Sequence, residues 1–313
     1  MQVSFLIPLY NCLAHTQAML ASLRSTLPTG LTHEIIFIDD GSSDGTRAWL
    51  ASLASDPAVR VVLHEKNSGF AVANNSGAAQ ARGEFLALLN NDLILQPRWL
   101  DPILAAHRAY GPRAGLVGNV QLNATTGALD HAGITINLKG KPEHLRSLPY
   151  GSRWPLINPR RRRVVAVTGA CVVLRRSLWE KLGGFDPAYV NGCEDVDLGL
   201  RAYASGHVNL VALSSIVRHH ISASPGRKLR DEANTRLLVE RWSETLARHA
   251  ARLWCRDYLE TYVRDPRDFP DAGLARQAFF YALYLRCTPP SGALAGMVKN
   301  LDAELARWRK LLD

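Results

Sequence analysis

Residues 83–94 read GEFLALLNNDLI. An almost unbroken apolar run bounded by Gly83 and by Asn90-Asn91-Asp92 reads as a strand buried on both faces, and strands of that kind belong to parallel sheets covered by helices. Such a strand delivers its polar end to the edge of a sheet. Outward from it the same alternation recurs: VSFLIPL, HEIIFIDD and RVVLHE read as strands, while AHTQAMLASLRSTL, DGTRAWLASLAS, GFAVANNSGAAQA and PRWLDPILAAHRAY have helical spacing. The expected fold class is α/β, a mostly parallel sheet flanked by helices.

In open sheets of this type ligands bind beyond the carboxyl ends of the strands. Pro8, Leu9, Tyr10 and Asn11 close the first strand, Asp39 and Asp40 the second, Asn67 to Gly69 follow the third, and Asn90, Asn91 and Asp92 end the fourth. Four strand ends thus carry polar or turn-forming residues to one rim, where a single cleft is expected.

The second half resumes with VVAVTGACVVLRRSLWEKLGGFD, a strand and helix closed by Gly183-Gly184, then the helix CEDVDLGLRAYASGH and a last strand ending at His219-His220. Before these, 123–163 is rich in Gly, Pro and His and reads as an irregular loop. Past about residue 228 long helical patterns take over. The expected division is a catalytic domain over 1–226, with a nucleotide half near 1–120 and an acceptor half near 121–226, and a helical region over 227–313.

Composition narrows the class. With 47% hydrophobic residues in 313 the chain can bury a sizeable core. Five scattered cysteines without a C-x-x-C pair argue against a zinc or disulfide framework and fit a reducing compartment. The first residues pass into a strand without a basic leader, and no apolar stretch approaches the roughly 20 residues of a spanning helix. A cytoplasmic protein is expected. A net charge of +9 favours acidic partners, and the cluster Arg160 to Arg163 is either a solvated loop or a phosphate- or membrane-facing patch. No basic strand face with interleaved aromatics supports nucleic acid as a partner, and no G-x-G-x-x-G follows the first strand to support a dinucleotide-dependent oxidoreductase.

Individual residues suggest chemistry. Asp39 and Asp40, leaving a buried strand into a Gly/Ser turn, can accept hydrogen bonds from a base or ribose, whereas Asp44 suits a helix cap. Asp92 flanked by asparagines suits a hard divalent cation, which takes one or two carboxylates and completes its shell with substrate phosphates. Glu194, Asp195 and Asp197 open a helix, where the macrodipole favours negative charge, and one of them can take a proton from a hydroxyl. His219 and His220 offer a metal ligand.

Taken in order, VSFLIPLYN, EIIFIDDGSSDGT, NSGFAVANNSGAAQARGEFLALLNNDL, TGACVVLRRSLWEKLGGFD and EDVDLGLRAYASGH resemble family 2 inverting glycosyltransferases with the GT-A fold. The last two, with NNDL and VRHHISAS, are most similar to the rhamnosyltransferase-like branch that builds bacterial surface polysaccharides. The resemblance covers roughly residues 2–226. It implies that Pro8, Leu9 and Tyr10 line the nucleobase and ribose pocket, that Asp39 hydrogen-bonds the base, and that Asn11, Asp40, Asn67, Gly69, Asn74, Asn90, Asn91 and Glu194 belong to the nucleotide-sugar site. It further implies a floor of Thr168, Gly169 and Ala170, Asp92 and His219 on Mn²⁺ or Mg²⁺, and Asp195 as catalytic base. Two departures stand out: Asn90 replaces the first acid of the D-x-D motif, and Asn74 replaces an arginine of many relatives.

The implied activity moves rhamnose or a similar hexose from a nucleoside-diphosphate sugar to a hydroxyl of a glycan or lipid-linked acceptor at the inner face of the membrane. The alternative is a non-catalytic nucleotide-sugar-binding relative. ARHAARLWCRDYLETYVR and ELARWRKLL mix Arg with Trp, Tyr and Leu, which admits either a peripheral membrane contact or helices packed on the catalytic domain or in a homo-oligomer.

Overall fold

Along the first strand, β1 (Val3–Leu9), Phe5, Ile7 and Leu9 face one cluster of buried side chains while Leu6 faces another. A period of two distributes a continuous apolar run over both faces of a sheet, so the run marks a strand with helices on either side. A computed structural model describes residues 1–148, 160–220, 230–264 and 271–312.

The chain then runs through α1 (Leu13–Thr26), β2 (His33–Asp40), α2 (Thr46–Ser52), β3 (Val59–His64), α3 (Phe70–Gln80), β4 (Phe85–Leu89), β5 (Leu93–Leu95) and α4 (Leu100–Tyr110). Next come β6 (Ala114–Asn123), β7 (Leu129–His131), β8 (Ile134–Ile136), β9 (Pro142–His144), β10 (Arg161–Arg163), β11 (Cys171–Arg175), α5 (Arg176–Leu182), α6 (Glu194–Ala204) and β12 (Val208–His219). Three helices follow, α7 (Asp231–Arg264), α8 (Ala272–Ala282) and α9 (Ser291–Leu312).

The main sheet has the order β10-β12-β6-β11-β4-β1-β2-β3, with β5 on β12 and β7 on β6. From β4 to β3 every pairing is parallel. β11 runs antiparallel to both β4 and β6, and β12 is parallel to β6. That reversal matters for the site: an antiparallel neighbour begins where β4 ends, so the residues just before Cys171 arrive beside Asn90, whose N–H donates to the Ala170 carbonyl at 2.8 Å. One face of the sheet is covered by Met19 and Leu23 of α1 and Ile103 of α4, the other by Ala71 of α3, Trp179 of α5 and Leu198 of α6.

Two compact units emerge, one comprising 1–134 and 144–230, the other 135–143 and 231–313. In the second unit α7 bends at Trp242, whose φ of −124° breaks the helical run. In the same unit Gly140, at a left-handed φ of +76°, packs where a Cβ would meet Leu301 and Val239 at under 3 Å. The stretch 123–163, read as irregular, instead contains β7 to β10; strands of three residues are too short to show a period. The arginine cluster forms β10 itself, paired antiparallel with β12.

Candidate functional site

The turns that leave β1 and β2 are locked to each other. Asn11 and Cys12 both take left-handed backbone (φ 57° and 62°), turning the chain off β1, and the Asn11 carboxamide oxygen accepts from the backbone N–H of Ser43 at 2.8 Å and of Asp44 at 3.3 Å. Asp44 accepts in return from Leu13 N–H at the start of α1. Gly41 is required by both conformation and space: its φ is +83°, and a Cβ there would sit 2.7 Å from the backbone at Lys66 and Asn67. That approach brings the loop after β3 against the end of β2.

Asp40 fixes this loop. Its carboxylate accepts from Ser68 N–H, from the Ser68 hydroxyl at 2.5 Å and from Gly69 N–H at 2.8 Å, with His64 Nδ1 2.7 Å away. Asp39, expected to hold a base, is fully buried on the other face, where it pairs with Arg47 Nε at 2.7 Å and accepts from Ser42 N–H.

A cavity of about 270 Å³ opens at this rim, lined by Pro8, Leu9, Tyr10, Cys12, Asp40, Asn67, Gly69, Phe70, Ala73, Asn90, Asn91, Asp92, Thr168, Gly169, Ala170, Asn191, Glu194 and Asp195. Of the residues expected there, Asn11, Asp39, Asn74 and His219 are not in the lining. Asn11 is used in the turn just described. Asn74 is buried inside α3, its amide donating to the Phe70 carbonyl at 2.8 Å. His219 stands behind Asp92.

Asp92 and Asp195, 103 positions apart in sequence, therefore share one cavity. Asp195 is half-buried, with Oδ2 accepting from Gly169 N–H and Oδ1 from Val196 N–H, both at 2.8 Å. The neighbouring acids have other work: Glu194 accepts from Gly192 N–H at 2.6 Å, and Asp197 pairs with Arg201 at 2.7 Å one helical turn on.

Next to Asp92 the donor set fits a cation. Asp92 Oδ1 and His219 Nε2 lie 3.2 Å apart, both buried, yet not aligned as a hydrogen bond; the Asn90 carboxamide oxygen is likewise buried without a bonded partner. Two lone-pair donors at that separation match adjacent positions around an ion whose bonds are about 2.0–2.2 Å long. Among the described residues no group of three or more His, Cys, Asp or Glu side chains gathers at one point, so such an ion needs further oxygens from elsewhere. His131 on β7 is fully buried with both ring nitrogens unbonded; burial, then the charges of His144 and His219, hold its pKa well below the usual value.

Cys12, Phe70, Ala73 and Asn191 line the cavity without having been anticipated. Phe70 and Ala73 recur one helical turn apart directly after Gly69, a spacing that could have flagged them. Asn191 takes left-handed backbone (φ 53°), and its carboxamide oxygen accepts from Phe70 N–H at 3.3 Å, a long-range contact invisible in sequence. The motif ending in His220 continues at 221–224, outside the described residues.

Comparison with known proteins sets these observations in context. The model of the family Glycosyl transferase family 2 matches residues 4–183. The uncharacterized protein y4gI of Sinorhizobium fredii is 32% identical over 249 residues, 74% of this chain and 27% of that one. The O-antigen biosynthesis protein RfbC of Myxococcus xanthus is 33% identical over 201 residues, 61% of this chain and 15% of its own length. The chain thus spans only a small part of either. An N-acetylglucosaminyl-diphospho-decaprenol L-rhamnosyltransferase of Mycobacterium tuberculosis is 30% identical over 232 residues, covering 68% of this chain and 74% of the relative. Among solved structures, GalNAc-T7 crystallised with UDP, GalNAc and Mn²⁺ superposes with a TM-score of 0.64 at 18% identity, over 80% of this chain and 50% of that one.

Proposed function

This chain belongs to glycosyl transferase family 2 and has the GT-A fold, and on that premise we propose that it transfers a sugar, rhamnose or a similar hexose, from a nucleoside-diphosphate donor to a hydroxyl of a glycan or lipid-linked saccharide, with inversion, during assembly of a bacterial surface polysaccharide. The observation that carries the reading is the joint placement of Asp92 and Asp195 in the lining of one cavity at the carboxyl rim of the sheet. The rhamnosyltransferase and O-antigen relatives support the substrate class, and a cytoplasmic location belongs to the same reading.

In this proposal the base and ribose lie against Pro8, Leu9, Tyr10 and Asp40, and Asn67 and Gly69 border the nucleotide. Asp40 takes the role the sequence suggested for Asp39. Asp92 and His219 would hold Mn²⁺ or Mg²⁺, which when bound supplies positive charge to the departing diphosphate. Asp195 accepts the proton of the acceptor hydroxyl while that oxygen bonds to the anomeric carbon. The bond to the diphosphate oxygen breaks on the opposite side, carrying its electron pair away, so the configuration inverts. The two backbone N–H groups on Asp195 fix its plane and leave a lone pair on each oxygen for the incoming proton.

The test is a panel of nucleotide sugars with Mn²⁺ and a lipid-diphosphate saccharide acceptor, followed by NMR of the product. The proposal expects release of nucleoside diphosphate and an inverted glycosidic linkage; a retained configuration refutes it. Asn90 in place of an acid favours the second reading, a nucleotide-sugar binder without turnover, which the same panel identifies by binding with no diphosphate released.

A further inference from the structure

Helix α8 buries Ala278, Tyr281 and Ala282 against Ala251 and Cys255 of α7 and Ala293 of α9. Its other side and the turn that follows leave a cluster of large apolar side chains open: Phe279 at 49%, Phe280 at 44%, Leu283 at 52%, Tyr284 at 71% and Leu285 at 70% exposure. Single exposed apolar residues are ordinary, but five within seven positions mark a surface that meets something.

The charge around this cluster selects the occupant. From Ala272 through Leu301 the chain has no Asp or Glu, and it carries Arg276, Arg286 and Lys299. Arg252 of α7 stacks on Tyr281 and Tyr284, 4.0 and 3.9 Å from the ring centroids, and donates to the Tyr281 carbonyl. Arg248 and Arg256 lie one turn to either side of it on α7, within about 40° around the axis, whereas Glu244, Asp257 and Glu260 are displaced by about 80° or more. Phe, Leu and Tyr fringed by arginines is the composition that settles at the boundary of an anionic bilayer, acyl region to the apolar groups and headgroups to the cations. A second copy of the chain fits worse, because a two-fold contact through this surface would set arginine against arginine. Among the described residues no helix is long and apolar enough to cross a membrane, so the contact lies in the interface plane.

We propose that the surface formed by Phe279, Phe280, Leu283, Tyr284 and Leu285, with its arginine fringe, docks this protein on an anionic lipid surface. The inference does not depend on the catalytic reading. The sequence admits either such a contact or helix packing at 247–264 and 304–312; the structure assigns the apolar part to 279–285.

Flotation of the full chain with vesicles of phosphatidylcholine and phosphatidylglycerol in equal parts, at about 0.1 M salt, tests it, with pure phosphatidylcholine vesicles as comparison. The expected result is binding to the mixed vesicles that weakens as salt rises. Tyr284→Asn with Leu285→Ser lowers the partition about tenfold or more, Asn being chosen because Tyr284 has a left-handed φ of 63°. Arg276→Gln with Arg286→Gln lowers it about fivefold per charge on mixed vesicles and leaves pure phosphatidylcholine unaffected. Unchanged melting temperatures show that the variants fold. The proposal is overturned if the unmodified chain does not float with mixed vesicles, if the Tyr284/Leu285 variant floats undiminished, or if sedimentation velocity shows that this variant instead dissolves a dimer.

Discussion

Asp92 Oδ1 and His219 Nε2 face each other at 3.2 Å, both buried and neither hydrogen-bonded. Asp92 lies in the turn between β4 and β5, and His219 ends β12, three strands away from β4 in the sheet. β5, three residues paired antiparallel with the end of β12, brings them together through Leu93 opposite His219.

Two buried polar atoms left without a hydrogen bond cost stability, which a cation bound between them would offset. Asp92→Asn and His219→Ala are therefore each expected to weaken Mn²⁺ binding in the presence of nucleoside diphosphate by at least about tenfold, the size of effect seen even for outer-shell changes at metal sites. The rise in melting temperature on titrating Mn²⁺ with nucleotide present measures this directly. An unchanged titration in both variants removes the ion from this position.

The two aspartates closing β2 are expected to separate by phenotype. Asp40→Ala strands the N–H groups of Ser68 and Gly69 and loosens the loop beside the cavity, lowering stability by about 3 kcal/mol and raising the donor KM about tenfold or more. Asp39→Ala unpairs Arg47 and costs stability, but changes donor affinity less than about threefold, because its side chain is on the far face. Chemical unfolding and donor titration of the two variants give the comparison.

That pair also shows what sequence can and cannot give. The strand IIFIDD was legible as a strand, and its two acids as the end that meets a ligand. Which acid meets it depends on parity: Asp40 follows Ile36 and Ile38 onto the face covered by α3, while Asp39 follows Ile35 and Phe37 onto the opposite face. A period of two fixes that the neighbours diverge, but not which face carries the cavity. Gly169 and Asp195 stood out as motif residues, yet the bond between them depends on the antiparallel insertion of β11 and on the loop at Asn191. The grouping of 135–143 with the C-terminal helices leaves no trace in composition, since hairpins of three-residue strands have no period to read.

Gly41→Ala is expected to be among the most damaging single-methyl changes in the unit that holds the cavity. It forces an L-residue to a φ of +83° and drives a Cβ to 2.7 Å from backbone atoms that cannot rotate away; strain and overpacking together cost about 3 kcal/mol. The control is Gly127→Ala, also at positive φ (70°) but with no atom within 4 Å of the added Cβ, which costs about 1 kcal/mol. Urea midpoints of the two variants separate space from conformation.

Acid is expected to destabilise the protein before its carboxylates titrate. His107 is fully buried, and burial lowers its pKa to about 4 against the favourable bond of its Nε2 to the Val173 carbonyl at 3.0 Å; His131 is lowered further in the same direction. The native state thus holds these rings neutral while the unfolded chain binds protons below about pH 6.5. The contribution of His107 is complete above that pH and is lost as pH falls from about 6.5 to about 4, at most about 3 kcal/mol, and His131 acts in the same direction. His107→Gln should flatten the unfolding free energy across this window relative to the unmodified protein, and an equal slope in both contradicts the assignment.

The central claim is that Asp195 takes a proton in a cavity whose nucleotide end is built by other residues. Asp195→Asn preserves the shape of the side chain and removes its basicity, so transfer to the saccharide acceptor should fall by about 10³-fold or more while calorimetry gives a nucleoside-diphosphate affinity within a few-fold of the unmodified chain. Transfer persisting within about tenfold, with nucleotide affinity intact, would show that the base is elsewhere.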